Sequence, residues 1–264
     1  MSRRALIVLA AAVTCAACGS TRSQIPPGTA EADKFLFTRA EEEFKERNWL
    51  RAREYYRQIV DNYPQSPFRP DAKLGVGDTF VGEHTTESLI LAENEFREFL
   101  TFYPTSQRAD YAQYRLAVAY SEQMLAADRD QSATRDVIKE LQVFFDRYPN
   151  SRLMPEARKL MRDAKDRLSE SSYRIGYTYF RMKWYVGAID RFKEVLEQDP
   201  EYTHRDSVYF YLAESLRLVD PTGGRKPEAL PYYERLLKEF EQSEHLENTK
   251  KRISELKAEL KAPS

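Results

Sequence analysis

The chain has 264 residues, 42 % of them hydrophobic, enough to bury a sizeable core. Its 41 basic and 42 acidic side chains leave a formal charge of −1, so no net field draws it to nucleic acid or anionic lipid. Cysteines confined to the amino terminus and three dispersed histidines exclude a disulfide framework and any short zinc-ligand motif.

Arg3 and Arg4 precede the apolar run from Ala5 to Val13, and Ala16 and Ala17 precede Cys18. A run this short is a signal peptide and not a permanent span. It resembles a lipoprotein signal cut before Cys18. That gives a signal peptide over 1–17, then an acylated Cys18 and a flexible tether to residue 30 containing Pro26, Pro27 and Gly28. With Cys18 acylated and Cys15 removed, no thiol is left to pair, and helix packing alone must hold the body. Ser20 follows Cys18-Gly19 where lipoproteins retained at the inner membrane carry aspartate. The resemblance therefore implies a lipid anchor on the periplasmic face of an outer membrane.

Residues 31–264 read as helices throughout. In the first unit, Ala32 to Pro64, Phe37, Ala40 and Phe44 line one helix, and Ala52, Tyr55, Tyr56, Ile59 and Val60 line the next, at the steps of three and four that mark an amphipathic helix. The second unit has a helix over Ala72 to Phe80 loosened by Gly75 and Gly77, a long turn from Gly82 to Thr86, and a helix carrying Ala92, Phe96 and Phe99. The third places Tyr111, Tyr114, Ala117, Val118 and Tyr120 before a charged connection, Asp128 to Gln131, and Val137, Leu141, Phe144 and Phe145 after it. Residues 152–168 are helical, and the spacing leaves open whether they run on into the next unit as one long helix. The most regular stretch follows, Ser169 to Pro200, read as two short helices. Gly176 marks a close crossing, Tyr179 and Phe180 give the first helix its apolar side, and a turn spans Met182 to Trp184. Ala188, Ile189, Phe192, Val195 and Leu196 line the second helix until Pro200 stops it. The fifth unit carries Val208, Tyr211, Leu212, Ser215 and Leu216, a break from Asp220 to Gly224, then Ala229, Tyr233, Leu236 and Leu237. Ile253, Leu256 and Leu260 make the tail from Leu246 a capping helix.

Tyr63-Pro64-Gln65-Ser66 returns as Tyr103-Pro104-Thr105-Ser106 and Tyr148-Pro149-Asn150-Ser151, and in degenerate form at Asp199-Pro200 and Phe240 to Ser243. Counted back from Pro200, small, aromatic, small and aromatic positions fall on Gly176, Tyr179, Ala188 and Phe192. From Pro64 they fall on Ala40, Glu43 in an aromatic place, Ala52 and Tyr56. This resembles the tetratricopeptide repeat of about 34 residues. The expected fold is an all-α superhelical solenoid of about five helix pairs with a C-terminal capping helix.

No chemistry-bearing motif stands out. His84, His204 and His245 are placed on the surface or in loops, and the carboxylates on solvated helix faces. Gly75-Val76-Gly77 lacks the third glycine of a dinucleotide loop, and Gly223-Gly224-Arg225-Lys226 lacks the spacing of a phosphate loop. We therefore expect no enzymatic activity, cofactor or metal. A repeat solenoid offers a long concave face instead. Tyr55, Tyr114 and Tyr120 are the candidates for gripping a peptide there, because tyrosine buries area at low entropic cost and keeps a hydroxyl.

The lipoprotein signal, the proline-containing tether, the five long repeats and the Tyr-Pro-x-Ser endings together resemble the BamD family of outer membrane protein assembly lipoproteins. The resemblance implies a non-enzymatic scaffold of the β-barrel assembly machinery. Its C-terminal repeats would bind a POTRA domain of the BamA barrel protein, and its N-terminal repeats would bind unfolded barrel precursors, with other assembly lipoproteins as further partners. The family's BamA contact includes an arginine near the start of the fourth repeat's second helix, and the matching stretch, Tyr185 to Phe192, puts Arg191 in that place. Asp190 and Phe192 depart from the family residues on either side. The rival reading is a tetratricopeptide lipoprotein that coordinates envelope constriction or peptidoglycan enzymes.

Overall fold

The computed structural model describes residues 31–220 and 225–260. The expected signal peptide, acylated Cys18 and tether fall outside this range, as do 221–224 of the expected break. Eleven helices follow in order among the described residues. Five antiparallel pairs are formed by α1 (Ala32–Lys45) with α2 (Trp49–Asn62), α3 (Arg69–Glu83) with α4 (Thr86–Phe102), α5 (Ala109–Ser121) with α6 (Ser132–Arg147), α7 (Met154–Arg181) with α8 (Tyr185–Gln198), and α9 (Arg205–Leu218) with α10 (Lys226–Glu239). The last helix, α11 (Leu246–Glu259), packs on α10. Each helix touches the next, and α3, α5, α7 and α9 also touch in succession, so the first helices of the pairs line one side of a solenoid. This is the tetratricopeptide-type fold expected from the apolar spacing.

The turns explain why the pairs close so tightly. Arg47 and Lys183 both take left-handed backbone conformations, with φ of 61° and 63°. The next amide in each case reaches back across the helix end, Asn48 N–H to Glu43 C=O at 2.8 Å and Trp184 N–H to Tyr179 C=O at 2.9 Å. That is a helix C-cap which reverses the chain within three residues. The Tyr-Pro-x-Ser endings do the opposite job. Ser66, Ser106 and Ser151 each accept, through Oγ, the amide two residues on, just ahead of the following helix. Ser151 also donates to Asp110 at 2.6 Å, and Ser243 to Asp206 at 2.6 Å, so the third and fifth endings are latched to the second residue of their own unit's first helix.

In the fourth unit the same latch joins Thr203 to Asp166, through the amide at 2.9 Å and the hydroxyl at 2.7 Å. Asp166, however, lies in the middle of α7. The repeat register therefore restarts inside a continuous helix, and residues 154–165 are an extension ahead of it. The question the sequence leaves open at 152–168 is settled in favour of one 28-residue helix. The stretch from Ser169 is its second half and not a separate short helix.

Packing follows this division. One buried cluster joins α1 to α5, a second joins α5 and α6 to Ala157, Met161 and Ala164 of α7, and a third joins the second half of α7 to α8 through α11. Among the described residues, none belongs to both of the latter two clusters. Polar contacts fill the gap: buried Asp199 accepts from Arg162 and from Ser169, and Arg167 donates to the carbonyl of Leu125 at 2.8 Å.

Several expectations are corrected. Gly75 and Gly77 do not loosen α3, which runs straight through both; the rings of Tyr56 and Phe96 lie where a Cβ would be. The Gly82 to Thr86 turn shrinks to His84 and Thr85, with Thr85 forming a capping box with Ser88. His245 is neither solvent-facing nor loose: it is buried at the start of α11, its ring stacked 4.4 Å from that of Phe210. Not all carboxylates are solvated, since Glu43, Asp78, Glu93, Asp199 and Glu214 are buried, each with a hydrogen-bond partner. Leu260 lies just past the end of α11 and is exposed, while Leu256 covers the core.

Candidate functional site

Among the surfaces left by the packing of the described residues, two are rich in aromatic side chains. The first is a 390 Å³ pocket between α1, α3 and α5 on the side lined by first helices. Phe37, Phe44, Tyr56 and Tyr111 wall it, Leu74 and Gly75 floor it, and Glu41, Asp71, Asp78 and Arg108 rim it. Arg108 stacks 4.4 Å over the Tyr111 ring, and Tyr111 donates to Asp78 at 2.7 Å. Burial pushes the Asp78 carboxyl up, against the opposing charge of Arg115 at 2.6 Å. Tyr56 donates to Glu41, and burial together with that carboxylate drives its phenol far above the ordinary range. The polar rim is thus pre-paired, which fixes the aromatic walls in place.

None of the three tyrosines expected to grip a peptide lines this pocket. Tyr55 is half-buried against the first core cluster. Tyr114 packs 6.2 Å from the Phe144 ring, and Tyr120 pairs with Arg97, its phenol pushed up to about 12 by burial first and Glu93 next. Phe37, Phe44 and Tyr111 look like core in the sequence because they obey the helix period. The clue to their other side is that the same helices already have Leu36, Ala40 and Ala112 pointing inward.

The second surface lies on α7 and α8. Met154, Ala157, Met161, Ala164, Leu168, Ile175, Tyr179 and Met182 recur along α7 at steps of three, four and seven, and so share one stripe. Ala157, Met161 and Ala164 are covered by α5 and α6. Further along, among the described residues, Ile175 and Met182 of the stripe are left 41 % and 58 % exposed. Trp184 and Val186, at 63 % and 60 %, continue the apolar surface into α8. Tyr179 lies between, its ring 5.7 Å from Trp184 and against Gly187. The other side of α7 is occupied: Tyr177 and Phe180 meet Tyr211 of α9 at 4.8 and 5.2 Å, and burial followed by Tyr177 raises the Tyr211 phenol to about 12.

Arg191 borders this surface. It sits in the middle of α8 and not at its start, its side chain is 42 % exposed, and Nη1 donates to Glu194 at 2.8 Å. Its Cβ packs by Gly176, where any Cβ would stand 2.8 Å from the Phe192 ring and 3.2 Å from that of Arg191. The glycine therefore sets how closely α8 approaches α7, and with it the level of the guanidinium. The apolar residues around Arg191 are hidden from sequence reasoning because Met182 to Trp184 reads simply as a turn. The signal that would find them is the length of the α7 stripe.

Residues 29–223 match the family model described as YfiO, outer membrane lipoprotein. The chain belongs to this family of outer membrane lipoproteins. It is 28 % identical over 183 residues to the outer membrane protein assembly factor BamD of Caulobacter vibrioides, covering 69 % of this chain and 59 % of that one. Identity to the BamD of Xylella fastidiosa is 23 %, covering 63 % and 59 %, and to that of Vibrio cholerae 21 %, covering 74 % and 82 %. The chain thus spans 59 % of the length of the Caulobacter and Xylella relatives. Among solved structures, the TPR2AB-domain:pHSP90 complex of yeast Sti1 aligns over 86 % of this chain and 84 % of that one, with 12 % identity and a TM-score of 0.49. For the family member described here, no helix among the described residues is long and apolar enough to cross a membrane, and no group of three His, Cys, Asp or Glu is placed to hold a metal.

Proposed function

We propose that the chain is a non-catalytic scaffold of outer membrane β-barrel assembly, tied to the bilayer through an acylated Cys18. Its fourth and fifth repeats hold a POTRA domain of a BamA-like barrel protein, and its first three repeats receive unfolded barrel precursors. The observation that carries this reading is the uncovered face of the fourth repeat. A membrane-tethered body does not leave Ile175, Met182, Trp184 and Val186 in water without a partner, because exposed apolar patches of this kind mark protein contacts. Arg191 at its edge supplies direction, since a guanidinium pairs with a carboxylate through two parallel hydrogen bonds. Its present partner, Glu194, is on its own helix and part exposed, so exchange for a partner's carboxylate costs little.

The aromatic pocket between α1, α3 and α5 supports precursor binding, with Tyr55, Tyr114 and Tyr120, which lie outside it on the first and third repeats, as secondary contacts. Outer membrane barrel strands alternate apolar and polar residues between girdles of aromatic ones, and the part-buried rings of Phe37, Phe44 and Tyr111 are suited to such chains in extended form. The test is purification of the acylated protein from its native envelope in mild detergent, followed by affinity measurement with the Arg191→Glu variant. Recovery of a stoichiometric barrel protein bearing POTRA domains, and at least tenfold weaker binding by the variant, are expected. Recovery of cell-wall enzymes without that barrel, or unchanged affinity, would refute the proposal.

A further inference from the structure

We propose that residues 22–29 of this chain fold back along α1 into its own aromatic pocket, with Ile25, Pro26 and Pro27 against the rings and Arg22 at the acidic rim. The protein then holds its client site closed until a better-fitting segment displaces the tether. That closing role rests on the proposed function, whereas the seat itself does not.

The sequence supplies the shape of the occupant. The rings of Pro26 and Pro27 fix φ near the polyproline value, and segments of this kind dock into aromatic-lined grooves with little conformational entropy left to lose. The pocket is such a groove, walled by Phe37, Phe44, Tyr56 and Tyr111, with Tyr56 and Tyr111 held by Glu41 and Asp78. Length agrees. Phe37, Glu41 and Phe44 form one row on α1, and Phe37 and Glu41 stand about 8 and 14 Å from Ala32 along the helix. Glu31, at the head of α1, takes a left-handed backbone conformation with φ of 59°, so the chain bends where it meets the helix. Gly28 permits the rest of the reversal. Counted back from Pro27 at about 3.1 Å per residue, Ile25 lies about 6 Å and Arg22 about 16 Å along. Ile25 therefore comes level with Phe37, and Arg22 with Glu41.

Charge selects the same occupant. Glu41, Asp71 and Asp78 outnumber Arg108 at the rim, and Arg22 is the one charged side chain between residues 19 and 30. A carboxylate accepts several hydrogen bonds, so Glu41 can hold Tyr56 and still receive a guanidinium. Because pocket and tether belong to one chain, their effective concentration is of millimolar order, and a contact too weak to form between molecules is populated.

The test uses the acylated full chain purified in mild detergent. A photo-crosslinking residue replaces Ile25, and the crosslinked peptides are mapped by mass spectrometry with and without Arg22→Glu. In parallel, a labelled synthetic peptide copying the last strand of the co-purifying barrel protein is titrated onto the unsubstituted chain and onto an Arg22→Glu, Ile25→Ser chain. Both substitutions precede the helical body, and an unchanged melting temperature verifies that it is intact. Expected are crosslinks within one chain to 37–44 or to Tyr111, at least threefold fewer with Arg22→Glu, and at least threefold tighter peptide binding by the double variant. A threefold gain corresponds to a tether that leaves the pocket open about a third of the time. Crosslinks between chains, crosslinks outside the pocket, or none would overturn the inference and leave precursor binding standing. Equal peptide affinity for both chains would overturn the closing role. Pocket crosslinks with no peptide binding by either chain would overturn the proposed client site and leave the seat in place.

Discussion

Replacing Asp199 by asparagine probes the polar junction at the middle of α7. Asp199 is buried and accepts from both terminal nitrogens of Arg162, one at 3.0 Å, and from Ser169 Oγ at 2.8 Å. Burial alone would raise its pKa, but Arg162 and Ser169 outweigh burial and hold the carboxyl below its ordinary 3.8. Asparagine keeps the shape, loses the charge, and turns one acceptor into a donor facing a guanidinium. A hydrogen bond to a charged group contributes about 1.5–3 kcal/mol. Arg162 keeps Asp166 at 3.0 Å and is part exposed, so water absorbs some of the loss, and a net cost of about 2 kcal/mol is expected. Since the second and third clusters share no residue, that cost falls on one side of the junction. Hydrogen exchange read by mass spectrometry should accelerate about 30-fold in peptides from 185–259 and stay unchanged in peptides from 32–147. Equal acceleration in both, or none in either, would refute the division of the core. The sign with pH follows from the lowered folded pKa. The contribution is complete above about pH 3.8 and is lost as pH falls through the folded value, so the variant should lose less stability on acidification in that range.

Gly176→Ala should push α8 away from α7, because the added Cβ lands 2.8 Å from the Phe192 ring. Overpacking of this kind costs about 1–3 kcal/mol, less the helix propensity gained, and calorimetry should find melting lower by about 2–6 °C. Glu214 is buried and receives Tyr233, Arg217 and Arg252 from three helices, so Glu214→Gln should free the capping helix; amides in 246–259 should exchange at least tenfold faster than those of α9. Exposed His84 and buried His245 should titrate to opposite sides of 6.5 in one NMR experiment. Glu122 raises His84, whose contribution is full below 6.5 and fades as pH rises through its folded value, whereas burial lowers His245, whose contribution is full above 6.5 and fades as pH falls. Glu122→Gln should bring His84 back towards 6.5 and leave His245 where it is.

What the sequence discloses and what it conceals divide along a physical line. Periodicity reports which side of a helix is apolar, and so the helix pairs and the capping helix are legible from residues such as Ala52, Tyr56, Ala188 and Phe192, while the turn at 82–86 is read too long because glycine is taken as a breaker inside α3. It does not report whether another element is long enough to cover that side. Ala157 and Ile175 are equivalent on the stripe of α7, yet one is in the core and the other in solvent, because α6 stops between them. The same blindness hid Phe37 and Tyr111, which obey the helix period but face a cavity. Buried carboxylates escaped for a different reason. Asp78 and Glu214 sit in the middle of helices with no local sign of their partners, Arg115 and Arg252, which arrive from elsewhere in the chain.

The latch that joins the ends of the third, fourth and fifth units to their own first helices also has a bearing on how the molecule is made. Ser151 finds Asp110 and Thr203 finds Asp166 within one unit, and every core cluster draws on neighbouring helices alone. Contacts so near in sequence close quickly, and a chain released amino end first can complete its early units before the late ones emerge. Synthesis order and assembly order then coincide. The pocket between α1, α3 and α5 would be finished while α7 and α8 were still being delivered.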